Sequence, residues 1–155
     1  MLFFAGITCK SFAQFQSITM LDKFENSVAR TIIYPGDLIT ACIPTYAVIK
    51  VSVNRQCKVD RMEISDSAEK LFVLEFLSKQ KDFDKVALER YLKDNNLKNI
   101  DLIIPIMYTF NNNTCRDASV PIETLTHLTD FFKTSYTNKP AMFLKPIGMT
   151  MSSVK

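Results

Sequence analysis

The sequence predicts an α+β domain: a three-stranded antiparallel sheet with helices packed on one face. Three observations carry this reading. Two apolar runs after Tyr34 alternate with period two and are joined by a short polar turn. A helical stretch follows them, and a third apolar run, ending at Phe110, closes the unit. No constellation of residues between Tyr34 and Phe110 is suited to catalysis, which favours a binding module over an enzyme.

The chain opens with Leu2-Phe-Phe-Ala-Gly-Ile7, which is apolar and too short to span a bilayer as a helix. Small residues in Ser11-Phe-Ala13 follow at the two positions a signal peptidase requires, so residues 1-13 read as a signal peptide cleaved before Gln14. The competing reading is a buried first strand or helix. Residues 14-155 then form one domain, long enough to bury a real core. The expected location is periplasmic or secreted, with no transmembrane helix in the mature chain.

The first strand is Tyr46-Ala-Val-Ile-Lys-Val-Ser-Val53. Ala47, Ile49, Val51 and Val53 share one face and Tyr46, Val48, Lys50 and Ser52 the other, as in a strand that buries one side and wets the other. After Asn54-Arg55-Gln56 comes Cys57-Lys-Val-Asp-Arg-Met-Glu-Ile-Ser65, where Met62 and Ile64 alternate with Arg61, Glu63 and Ser65. A hairpin is the simplest connection.

Ser65-Asp-Ser67 supplies capping side chains ahead of a helix from Ala68 to Leu77, and Asp66 with Glu69 has capping-box spacing. Leu71, Leu74 and Leu77 recur at a helical interval, with Phe72 and Phe76 widening the apolar face. A second helix starts at Asp82 and ends near Asn95, with Phe83, Val86, Ala87 and Tyr91 on one face. These apolar residues are expected in the core. The third strand, Leu102-Ile-Ile-Pro-Ile-Met-Tyr-Thr-Phe110, carries Pro105 in its middle, which lacks an N–H and marks a sheet edge or a bulge.

Strand, hairpin, strand, crossover helix, strand is solved by the sheet order 2-1-3, with strand three antiparallel to strand one. Cys42 precedes strand one and Cys115 follows strand three, so this arrangement brings the two together. Bridging them would close a loop of roughly 70 residues and stabilise the fold by about 4 kcal/mol. With Cys9 removed, Cys57 is the odd thiol, at the hairpin. No Cys-x-x-Cys spacing exists and His127 is the single histidine, so neither a zinc site nor any other cofactor is expected.

The chain has 19 basic and 16 acidic residues, a net charge of +3, and the charges are interspersed. No basic stripe marks a nucleic-acid partner. Past Phe110, Asn111-Asn-Asn-Thr114 is a polar loop and Ser119-Val-Pro121 opens a helix through Ile122, Leu125, Leu128 and Phe132. Ala141-Met-Phe-Leu144 and Ile147-Gly-Met-Thr-Met151 read as short strands, so this C-terminal extension is able to add a strand to the sheet.

Several of these stretches together resemble one family. Tyr34-Pro35 after a helix-like Leu21 to Arg30, Ala47 to Asn54, a turn, Val59 to Ser67, an amphipathic helix, and Leu102-Ile-Ile-Pro-Ile106 ahead of Phe110 look like the TonB C-terminal domain. The closer likeness is to the divergent secreted versions common in Bacteroidetes, whose signal peptides Ser11-Phe-Ala-Gln14 also resembles. The likeness covers about residues 21-110. Cys57 stands where the family's hairpin usually has glycine, and the family's membrane helix and Pro-rich linker have no counterpart here.

The resemblance implies a periplasmic or secreted, non-catalytic module. It would bind a protein or extended peptide, such as an outer-membrane or envelope protein, by adding it as a strand to a sheet edge. The expected edge is the third strand, at Leu102, Ile104, Pro105, Ile106, Tyr108 and Phe110, and the second expected surface is the hairpin tip at Arg55, Gln56 and Cys57. A covering of that edge by the chain's own C-terminal strands is the competing reading. The alternative function is a TonB-type energy-transduction partner of outer-membrane transporters. A thiol enzyme pairing Cys57 with His127 ranks below both, because a hairpin tip lacks fixed walls.

Overall fold

The computed structural model describes residues 8–111, 115 and 139–152. The element order is α1 (Thr8–Thr31), α2 (Gly36–Thr40), β1 (Thr45–Val53), β2 (Val59–Ile64), α3 (Lys70–Lys79), α4 (Lys85–Asp94), β3 (Asp101–Asn111), β4 (Ala141–Phe143) and β5 (Ile147–Ser152). Residues 1–7 of the proposed signal lie outside the described residues, as do the polar loop at 112–114, the helix from 119 to 132 and His127. Among the described residues no helix is long and apolar enough to cross a membrane.

The fold is mixed α and β with an open sheet. That sheet has five strands, not three, in the order β2-β1-β3-β4, with β5 also paired to β3. β1 is antiparallel to both β2 and β3, whereas β4 and β5 run parallel to β3, so the sheet is mixed. The helices cover one face. Phe24 and Val28 of α1, Phe72 and Phe76 of α3, and Leu88 and Leu92 of α4 join one core with Ala47, Ile49, Val51, Leu102, Ile104 and Ile106.

Several local expectations are corrected. In α3 the phenylalanines, not the leucines, face the sheet: Phe72 and Phe76 are 0% exposed, whereas Leu71, Leu74 and Leu77 are 39%, 56% and 50% exposed. One helix presents only about a third of its circumference to a sheet, and the larger rings occupy it. In α4 the buried stripe is Ala87, Leu88 and Leu92, and Val86 points outward at 78% exposure.

The capping box does not form. α3 begins at Lys70 behind Glu69, with no side-chain cap, and Ser65 extends the sheet pairing past β2. Its hydroxyl accepts the Val48 N–H at 3.0 Å, and its own N–H donates to the Val48 carbonyl at 2.9 Å. α4 is capped at Asp84, two residues later than expected, where the carboxylate accepts the Ala87 N–H at 2.9 Å.

β1 buries both faces, contrary to the expectation of one wet side: Val48, Lys50 and Ser52 are buried as well as Ile49 and Val51. The Lys50 ammonium pairs with Glu63, 3.0 Å away on the neighbouring strand, and Arg61 reaches the same carboxylate at 3.2 Å. Such pairing is what a buried lysine requires.

Candidate binding surface

Strand β3 is not an open edge. β4 pairs with Asp101 to Ile103 and β5 with Ile106 to Asn111, so the Leu102 to Phe110 strand is covered on its outer side by the chain's own C-terminal strands. Its Leu102, Ile104, Ile106 and Tyr108 side chains are buried in the core, and Phe110 packs against it. The expectation of an open edge at Leu102 to Phe110 is thus corrected, and the competing reading, a cover by Ala141-Met-Phe-Leu144 and Ile147 to Met151, describes the pairing found.

Pro105 explains why the cover comes in two pieces. Asp101 donates its N–H outward to Pro140, and the Ile103 carbonyl accepts the Leu144 N–H, each at 2.9 Å. The next outward-facing residue is Pro105, which has no N–H to give. The ladder stops there, Leu144-Lys145-Pro146 steps away from β3, and β5 resumes opposite Ile106. Within that step, Lys145 reaches Asp22 at 3.0 Å and Glu25 at 3.1 Å on α1, so the two C-terminal strands are also tied to the helical layer. Its hydrogen bonds to these two carboxylates hold the Lys145 ammonium above its ordinary pKa, while burial pushes the Glu25 carboxyl up.

Among the described strands two edges have unpaired outer sides: β4 and β5 beyond β3, and β2 at the other end of the sheet. The Val48 and Ser65 backbones face one another in the hydrogen-bonding direction. By the antiparallel alternation, Arg61 and Glu63 also point their backbone groups at β1, and Met62 and Ile64 point theirs outward. Their side chains meanwhile enter the core face opposite Val51 and Ile49. Outward amides with inward side chains give a backbone edge that is polar and a side-chain face that is already satisfied.

The hairpin tip next to this edge is more built than its exposure suggests. The Cys57 N–H donates to the Asn54 carbonyl at 3.3 Å, and Asn54 donates to the Lys58 carbonyl at 2.9 Å. Asn54 Oδ1 accepts the N–H groups of Gln56 and Lys58 at 2.9 and 3.0 Å, and its amide nitrogen donates to Asp60 at 3.0 Å. Cys57 takes φ 58°, the left-handed conformation for which this kind of loop favours glycine.

The tip also has a wall, contrary to expectation. Glu89 of α4 accepts the Val59 N–H and pairs with the Lys58 ammonium, fastening the helix beneath the turn. From the other side, Asn99 donates its N–H to the Asn54 carbonyl at 3.0 Å, and Val53 donates to Ile100 at 2.9 Å. The result is an open cleft of about 650 Å³ between the tip, α4 and the loop after it. Its lining includes Arg55, Cys57, Val86, Arg90, Lys93 and Lys98. Sequence spacing hid this site, because its cations come from three separated segments.

Cys42 and Cys115 are disulfide-bonded, with Cα atoms 5.4 Å apart, and Cys57 is a free, half-buried thiol. The antiparallel pairing of β1 and β3 sets the first two at the same end of the sheet. Among the described residues no group of three His, Cys, Asp or Glu side chains is placed to hold a metal ion. No family model, no curated protein and no solved structure matches this chain.

Proposed function

We propose that this chain is an exported, non-catalytic module that binds a protein or extended peptide through the β2 edge and the adjoining hairpin tip. The observation that carries the reading is the outward backbone of Met62 and Ile64, on a strand that ends the sheet beside a preorganised turn. The likeness to the TonB C-terminal domain suggests the same mode, strand addition, at a different edge. With β3 covered by β4 and β5, strand addition is assigned to β2 in preference to the outer sides of β4 and β5, because β2 adjoins the preorganised hairpin tip.

Export is part of the proposal. The apolar start with Ser11-Phe-Ala13 suggests cleavage before Gln14, and the Cys42–Cys115 bridge suits an oxidising compartment. N-terminal sequencing of the native protein should begin at Gln14 or within a residue or two of it. A full-length protein with reduced cysteines would overturn this part.

The binding mode is tested by photocrosslinking in intact cells from Asp60, Arg61 and Gln56, with Met107 and positions in 119–138 as controls. Crosslinks from the first three identify the partner segment. As a synthetic peptide, that segment should lose about tenfold or more in affinity when alternate backbone amides are N-methylated, and should tolerate most changes in outward side chains. Crosslinks confined to 119–138, or indifference to N-methylation, would refute strand addition at β2.

A further inference from the structure

We propose that the cleft beneath the hairpin tip receives an acidic stretch of the bound peptide, which makes negative charge the specificity determinant of the site. The proposal rests on the strand-binding reading only for how the peptide arrives; the charge selection is carried by the cleft itself. Its cationic side chains are Arg55 and Lys58 from the tip, Arg90 and Lys93 from α4 and Lys98 from the following loop, against the carboxylates of Glu89 and Asp94. Glu89 is already engaged by Lys58 and by the Val59 N–H. That leaves Arg55, Arg90, Lys93 and Lys98 facing one nearby carboxylate, Asp94, with none of the four in an ion pair among the described residues.

These cations are concentrated while the chain as a whole is nearly balanced, at a net charge of +3. They are also held at a fixed site, because the Asn99–Asn54 and Glu89–Val59 hydrogen bonds lock the three segments together. Preorganised charge spends little on ordering when an anion arrives. Val86, Arg90 and Lys93 recur at i, i+4 and i+7, so they form one outward stripe of α4. The wall therefore offers an apolar contact at one end and two cations beyond it.

The chemistry favours a carboxylate-bearing peptide over a nucleic acid. Among the described residues no aromatic side chain lines the cleft for bases to stack on, and Glu89 and Asp94 would oppose a continuous phosphate backbone. Lys58 adjoins Val59, where β2 begins, so a chain paired to the β2 edge runs directly into the cleft.

Hexaglutamate, titrated into the 15N-labelled, disulfide-bonded protein at 50 mM NaCl, is the direct probe. Saturable shifts are expected in the amides of 55–58 and 86–98. Affinity should weaken about tenfold on raising the salt to 300 mM, as the charges are screened. The R90E/K93E double variant, altered at two exposed positions, should keep its spectrum elsewhere and lose the response. No saturable shift up to about 10 mM peptide, shifts scattered over lysines outside the cleft, or an unchanged response in R90E/K93E would overturn the proposal. Tighter binding of a thymidine hexanucleotide or a sulfated hexasaccharide than of hexaglutamate would overturn the peptide assignment in favour of that polyanion.

A second comparison separates the two readings, using the crosslinked partner segment with its acidic residues either kept or replaced by glutamine. Equal affinity of the two forms would sink charge selection and leave strand pairing standing. Affinity that depends on the acidic residues but ignores N-methylation would do the reverse.

Discussion

Asn99 donates its backbone N–H to the carbonyl of Asn54 at 3.0 Å, across 45 residues, and so fastens the loop after α4 to the tip of the β1–β2 hairpin. The Asn54 side chain completes the same turn by accepting two backbone N–H groups and donating to Asp60. Replacing Asn54 with alanine leaves the backbone bond in place and removes all three side-chain bonds. Urea unfolding should show a loss of about 1–3 kcal/mol, and the amides of Gln56 and Lys58 should exchange faster than in the parent.

Cys57 holds φ 58° in that turn. A glycine adopts this conformation without the Cβ clash that a cysteine side chain meets, at the cost of a more flexible unfolded chain and some lost packing. Cys57→Gly should therefore raise stability by about 0.5–1 kcal/mol in the same assay. A loss of stability would show that the packing of the half-buried thiol outweighs the backbone term.

The two apolar faces of α3 are distinguished by mutation. Phe76→Ala empties a fully buried position and should cost about 3–5 kcal/mol. Leu74→Ser, at a position 56% exposed, should change stability by no more than about 0.5 kcal/mol. Thermal or urea unfolding of the pair is sufficient. A large cost at Leu74 would mean that this face is covered in solution.

Reduction of the Cys42–Cys115 bridge opens a loop of 73 residues. The reduced protein should be about 4 kcal/mol less stable, and non-reducing peptide maps of the native protein should recover the two cysteine peptides joined. Recovery of both as free thiols would remove the bridge from the native state.

Tyr108 stacks on Tyr34 with ring centroids 4.3 Å apart, and its hydroxyl donates to the Ile32 carbonyl at 3.0 Å. Burial, with lesser contributions from Tyr34 and Glu75, pushes the phenol up to about 12. The folded state thus keeps a proton that the unfolded chain releases near pH 10. The stabilisation is complete below about pH 10 and is lost as the pH rises through about 12, amounting to about 3 kcal/mol. Tyr108→Phe should cost about 1 kcal/mol at neutral pH and flatten the decline between pH 10 and 12. An unchanged alkaline slope would assign that decline to other groups.

The sequence by itself determined the strands of the hairpin, the two helices after it, the third strand and the short C-terminal strands, because period-two and period-3.6 patterns are local properties of the chain. It also determined that Pro105 must interrupt a ladder, since a missing N–H needs no tertiary context. Only the tertiary structure decided that β3 is not an edge: β4 and β5 could be read as strands, but their pairing with β3 is a long-range choice that leaves β2 at one end of the sheet and β4 and β5 at the other. The tertiary structure likewise decided the phase of α3. Leu71, Leu74 and Leu77 and the pair Phe72 and Phe76 both have helical spacing, and burial of the larger rings against the sheet selects between them. The cleft was illegible for the same reason. Arg55, Arg90 and Lys98 are scattered in the chain, and it takes the bonds of Asn54 to Asn99 and of Val59 to Glu89 to gather their charges in one place.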